Sequence, residues 1–321
     1  MNELLVFVCD GAPVRGEIVS ISTAWQAVLE RRDDPPVVRR ILGDFVGAAT
    51  LLSASLKFDG TLIIQAQSSG PIQLLVIECR SDLSMRATVK LSVDPAEIAP
   101  DASLGELLDA NHTGRLVITL DPADREPGQA PYQGIVSLQE HRGTVIKPVS
   151  SAAEAIALYM KNSEQLDTRI WLTSDDTHIG GLLLQRLPDS GGHAHLEPQA
   201  AAEGWTRIQT LGETITNEEL LTLAPETILR RLFLEESTES GVRSFPARPV
   251  RFGCRCSRAK VADVLRMLGE AEVESILAEQ GAVETECDFC AKAYRFDAVD
   301  CRQVFKTDLL ADATRPPSSG H

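Results

Sequence analysis

The sequence predicts an α+β fold in three parts: an N-terminal mixed β-sheet domain with helices, a helical linker, and a small C-terminal domain organised by cysteines. Three observations predict it. Over residues 1–197 the apolar repeat switches between helical and strand periods. Residues 198–249 turn to alternating acidic and aliphatic segments with helix-start signals. Residues 250–310 hold four cysteines in two close pairs, Cys254 with Cys256 and Cys287 with Cys290. The chain of 321 residues is 43% hydrophobic, enough for a core, and with 5% aromatics that core must be mostly aliphatic.

Residues 22–29 read as a short helix. From 36 to 56, Val38, Ile41, Leu42, Phe45, Val46, Ala49 and Leu52 recur at three and four, one face of a longer helix. Residues 61–67 and 73–78, joined by Ser68-Ser69-Gly70-Pro71, predict an antiparallel hairpin. Residues 85–93, 114–120 and 132–138 add strands, with 120–131 an extended Pro/Gly-rich loop. Ser151-Ala152-Ala153-Glu154 is a capping box opening a helix through Met160, and 168–172 and 179–187 are closing strands. A mixed sheet with helices on one face follows.

The loop 188–195 marks a domain boundary. Beyond it, Thr216-Asn217-Glu218-Glu219 is a second capping box, and Pro225 suits the first turn of a helix with Ile228, Leu229, Leu232 and Phe233 on one face. That helix runs into the acidic stretch 235–241, which cannot pack. Short helices are marginal alone, so this linker holds only while something buries its apolar side. Residues 311–321 read as a disordered tail.

Net charge is −15, which argues against nucleic acid as a partner, since phosphate contacts need clustered Lys and Arg. No run of eighteen apolar residues exists, so no membrane helix is expected. Glu3 and Asp10 flank an apolar run too short for a signal peptide, and the expected location is the cytoplasm. Cytoplasmic cysteines stay reduced unless they bind metal or act in redox chemistry.

Cys254-Arg255-Cys256, thirty intervening residues and Cys287-Asp288-Phe289-Cys290 match a four-cysteine zinc site, because two tight turns can deliver four sulfurs tetrahedrally. Between the pairs, 261–268 and 273–280 read as helices, with Gly281 as stop; Tyr294 and Phe296 can pack under the second pair. The site is either a permanently closed structural zinc site or a thiol switch. Ordinary ribbons use Cys-x-x-Cys twice, whereas the first pair here is Cys-x-Cys, whose disulfide would be strained and reversible.

The chain is similar to the redox-regulated 33-kDa chaperonins, a family of bacterial heat-shock holdases. The similarity rests on Gly180-Gly181-Leu182-Leu183-Leu184-Gln185, on Thr214-Ile215-Thr216-Asn217-Glu218-Glu219-Leu220-Leu221, on Val273-Glu274-Ser275-Ile276-Leu277-Ala278-Glu279 and on the cysteine array, in that order. The resemblance implies a non-enzymatic chaperone. Reduced, it is a monomer with one Zn2+ per chain on Cys254, Cys256, Cys287 and Cys290, and it is off. Oxidation would join Cys254 to Cys256 and Cys287 to Cys290 and release the metal. The C-terminal domain and then the linker would unfold, exposing apolar surface that holds unfolding client proteins without ATP. Oxidised members form homodimers and pass clients to ATP-driven foldases. Two other classes stay open: a thiol-disulfide oxidoreductase, which would need an exposed Cys-x-x-Cys in a βαβ setting, and a constitutive zinc-ribbon binding protein, which would need a basic face.

Of the other cysteines, Cys9 and Cys79 read as buried in strands and Cys301 as a stray thiol beside the array. His193 and His195 lie in a Gly-rich loop without carboxylate or cysteine company, and Trp171 reads as a core residue.

Overall fold

The computed structural model describes residues 1–55, 59–110, 112–126, 128–142, 145–188, 197–239 and 241–313. The chain divides into two units, Met1–Gly253 and Cys254–His321. In the first, an N-terminal hairpin of β1 (Asn2–Cys9) and β2 (Val14–Ile21) precedes α1 (Thr23–Leu29) and α2 (Pro36–Ser55). The meander β3 (Gly60–Gln67), β4 (Ile72–Arg80) and β5 (Ser84–Leu91) leads to α3 (Leu104–Leu108), β6 (Arg115–Pro122), β7 (Tyr132–Ser137) and the small hairpin β8 (Gln139–Arg142) and β9 (Val145–Pro148). Then come α4 (Ala152–Tyr159), β10 (Thr168–Ser174), β11 (Ile179–Arg186), α5 (Pro198–Gly212), α6 (Asn217–Thr222), α7 (Pro225–Glu239) and three short strands, β12 (Val242–Ser244), β13 (Arg248–Pro249) and β14 (Arg251–Phe252). The second unit holds α8 (Arg258–Leu268), α9 (Glu270–Gln280), the hairpin β15 (Ala282–Glu286) and β16 (Ala293–Asp297), and α10 (Ala298–Ala313).

The strands of the first unit form two larger sheets. One runs β10-β11-β2-β1-β12, with β13 also on β1, all antiparallel. The other runs β14-β5-β4-β3-β6-β7 and is mixed, because β14 joins β5 in parallel. Helix α2 lies between them. It packs on strands of both sheets and buries 15 of its 20 residues, leaving Arg39, Arg40 and Asp44 among those not buried. The expectation of one sheet with helices on one face is therefore corrected: strand periodicity reveals each strand but not which sheet it joins.

Strand alternation gives the first sheet two apolar faces. Val19, Ile21, Ile179 and Leu183 face the α2 core, while Val14, Ile18, Leu182 and Leu184 face outward with Phe7. That outer face is covered by Trp205 and Ile208 of α5, Leu220 of α6, and Ile228, Leu232 and Phe233 of α7. Leu229 packs against the same cluster, as does the half-buried Trp171, so the tryptophan fully inside the main core is Trp25. Docking is tightest at Gly180, where a Cβ would fall 2.2 Å from the Leu220 carbonyl oxygen, so only glycine lets α6 seat there. The capping box at Thr216 and Glu219 is complete. At Ser151 only half forms: its hydroxyl accepts from the Glu154 N–H, but the Glu154 carboxylate accepts from Ser150 instead. Strand β6 extends through Pro122 by pairing with β3, which shortens the loop expected at 120–131. The side chains of 235–239, and residues 189–196 and 314–321, lie outside the described residues.

On β2, Glu17 points toward the α2 side and is fully buried. Its partner Arg15 donates to Glu17 Oε1 at 2.7 Å and to the Ala54 carbonyl at the end of α2 at 2.6 Å. Burial pushes the Glu17 carboxyl up to about 7 against the pull of Arg15. An acid raised in the fold stabilises below its ordinary range, and that contribution is lost as pH climbs through the folded value. Stability is therefore expected to fall by up to about 3 kcal/mol from about pH 5 to about pH 8, with Glu17→Gln lacking that decline. Urea unfolding across this range checks it; equal slopes for the two chains would refute the assignment.

Candidate metal centre

The second unit is a small core with the cysteines at one end. Ala262, Leu265, Val273, Val283, Tyr294, Phe296, Cys301 and Val304 form it, with Cys256 and Cys287 packed against it. Cys287 and Cys290 sit in the turn of the β15–β16 hairpin. There the Cys287 N–H donates to the Lys292 carbonyl at 3.0 Å, and the Ala291 N–H returns to the Cys287 carbonyl at 2.8 Å. Cys254 and Cys256 lie on the segment before α8, whose N-cap Ser257 accepts from the Lys260 N–H at 3.2 Å.

Thirty residues are folded back to close the gap between the pairs. Gly269 and Gly281, at φ 96° and 76°, turn α8 into α9 and α9 into β15 with a backbone that other residues rarely adopt. Arg258 clamps the start of α8: its guanidinium lies 4.1 Å over the Phe296 ring, pairs with Asp300 at 2.7 Å and donates to the Arg295 carbonyl at 2.7 Å.

The result brings all four thiols together, with every sulfur within 4.8 Å of the others. Cys254 and Cys287 are 3.7 Å apart, and Cys256 and Cys290 3.4 Å. A tetrahedral zinc with Zn–S of about 2.3 Å has sulfur edges of about 3.8 Å, so the set can hold a metal ion and is compatible with zinc. Burial pushes the Cys287 thiol up while the Phe289 and Cys290 N–H groups oppose it, and burial with the neighbouring thiols takes Cys290 up to about 12. Four thiolates here would need a cation among them, which is what a metal ion supplies.

The remaining cysteines lie elsewhere. Cys9 and Cys79 are buried in the first unit, and burial raises Cys79 to about 11, leaving an unreactive thiol. Cys301 is buried in the small core, with Sγ 4.0 Å from the Phe296 carbonyl oxygen and its thiol raised by burial. It is a packing residue, not a stray surface thiol. Sequence reasoning missed α10 and the Arg258 clamp. The helix did carry a signal: Asp297 accepts from the Val299 and Asp300 N–H groups, and Cys301, Val304 and Phe305 follow at helical spacing. His193 and His195 fall outside the described residues. Among the described residues no helix is long and apolar enough to cross a membrane.

Comparison with known proteins agrees along the whole chain. The family model described as Hsp33 protein matches residues 2–297. A 33 kDa chaperonin of Methylobacillus flagellatus is 42% identical over 306 residues, 95% of this chain and 94% of that protein. One of Chromobacterium violaceum is 43% identical over 312 residues, 97% of this chain and 96% of that protein. The crystal structure of the 33 kDa chaperonin of Thermotoga maritima superposes with a TM-score of 0.72 at 21% identity, covering 96% of this chain and 99% of that one, a likeness of fold.

Elemental analysis of the reduced chain is expected to find one zinc ion per chain, and Cys256→Ser to weaken retention against a chelator by at least about tenfold. Reduced protein without metal, or unchanged retention in the variant, would rule out this centre.

Proposed function

The chain belongs to the Hsp33 family and is a chaperone; from that premise we propose that it is a redox-regulated, ATP-independent holdase of the cytoplasm, off when reduced and zinc-bound. The observation that supports the switch is the set of four thiols within 4.8 Å of one another beside a small cluster that, among the described residues, has eight buried side chains. Bound zinc would hold the sulfurs as thiolates and contribute on the order of 10 kcal/mol to folding of that unit. Joining Cys254 to Cys256 and Cys287 to Cys290 takes two electrons from each thiolate pair and frees the Zn2+, while the two protons needed to reduce the oxidant come from solvent. Hydrogen peroxide is the class of oxidant that accepts the electrons, one molecule per pair, leaving as two waters.

Once paired with each other, the sulfurs no longer offer four thiolates, and the unit loses the contribution that its small core cannot replace. The linker is next. Helix α6 has six residues, and α7 departs from helical geometry at Phe233 (φ −124°, ψ 28°). Helices this short stay formed only while docked. Their release bares Phe7, Ile18, Leu182 and Leu184, an apolar face suited to unfolding clients. Association of two oxidised copies and handover of clients to an ATP-driven foldase complete the reading.

Light scattering of a heat-unfolding client is expected to fall with the oxidised chain and not with the reduced one. Phe233→Asp, which places a charge in the fully buried contact with Phe7, costs docking about 2–4 kcal/mol and should confer activity without oxidant. A reduced variant as inert as the parent would show that α7 is not the cover.

A further inference from the structure

Between α7 and the first cysteine runs a segment that is neither helix nor loop. Residues 241–253 lie along the edges of both larger sheets. The Asp10 N–H donates to the Gly241 carbonyl at 2.8 Å, the Phe245 N–H to Val6 at 2.8 Å, and the Val250 N–H to Asn2 at 2.9 Å. Strands β12 and β13 thus cover the free edge of β1, and β14 then joins β5, with the Gly253 N–H on the Met85 carbonyl at 2.9 Å. The next residue is Cys254.

This strap holds the β1 edge in two short pieces. Glu3, Leu4, Phe7, Val8 and Cys9 have register partners in it and the Asn2 and Val6 carbonyls accept from it, but Pro246 interrupts it between β12 and β13. Pro249 lacks a donor. Residues 243–247 are exposed, Phe245 by 49%. At its start the side-chain anchor is the Arg243–Asp10 pair, 2.7 Å but open to solvent on both sides and hence weak, while Val250 and the Arg248 bond to the Ser81 carbonyl hold its far end.

We infer that the edge of β1, once the strap lets go, is a client-binding site that takes an extended, unfolded segment as an added strand. The inference rests on the holdase reading and gives it a recognition chemistry. An uninterrupted strand pairs along all eight residues of β1 in one ladder, where the strap's ladder is broken in two. Main-chain pairing is indifferent to sequence, while the outward Phe7 beside the edge accepts alternate apolar side chains. What occupies the edge in this structure is an irregular segment held in extended form, so an extended unfolded client is the occupant that fits it.

The test uses the oxidised full chain and a labelled peptide of about ten residues alternating Val and Thr, long enough to span an ordinary strand. Its counterpart is N-methylated at every second residue, which removes the donors of one edge and leaves the side chains intact. Methylation is expected to weaken binding by about tenfold or more, from the loss of several hydrogen bonds. Hydrogen exchange should show the Leu4, Val6 and Val8 amides losing protection on oxidation and regaining it with the unmodified peptide. Equal binding of both peptides, in a chain that still suppresses aggregation, overturns edge pairing and leaves the holdase reading standing. Protection of those amides that rises with chain concentration and without peptide also overturns it, in favour of a second copy. An oxidised chain that does not suppress aggregation removes both.

Discussion

A sheet that carries apolar side chains on both faces must be covered twice, and in this chain the two covers differ in kind. Helix α2 sits between the sheets, long, buried on nearly every side and locked by strands of both. The outer cover is three helices of 15, 6 and 15 residues that reach Phe7, Ile18, Leu182 and Leu184 from one side only. Water excludes both faces with equal force, but the outer cover has far less holding it. The linker helices, the strap and the cysteine unit follow one another in sequence after β11 of that sheet.

The hierarchy of stability follows from size. The core of the Met1–Gly253 unit extends through α2 and two sheets, whereas the core of the cysteine unit is eight buried side chains and a clamp made by one arginine. A unit so small needs a staple, and four sulfurs within 4.8 Å supply the place for one. Local opening begins where the fewest apolar contacts must be broken, and the core around α2 is the part that has the most.

Much of this was legible in the residues. Helix α2, the β3–β4 hairpin, the box at Thr216 and Glu219, and the stop at Gly281 all appeared where periodicity and capping chemistry put them. The meeting of Cys254 and Cys256 with Cys287 and Cys290 was legible too, because metal-ligand spacing is a local signal. Sheet membership was not. Strand β2 pairs with β11, and β1 with β12, across most of the chain, and alternation within a strand says nothing of such partners. The Arg258 clamp was hidden for the same reason: an arginine after a cysteine pair reads as solvated until Phe296 and Asp300 are folded beneath it. Cys301 read only as a thiol beside the array, and its place inside the small core came from the folded chain.

The pairing of β1 with β12 and of β2 with β11 also governs how the protein is born. Contacts between the first and last strands of a sheet cannot form until both have left the ribosome, and long-range pairing is slow even then. The hairpin of β1 and β2 emerges early, yet its neighbour strand ends at Arg186 and its helical cover at Glu239. Throughout the intervening synthesis the nascent chaperone shows an uncovered apolar sheet to the cell, and is itself for that time an unfolded chain in need of one.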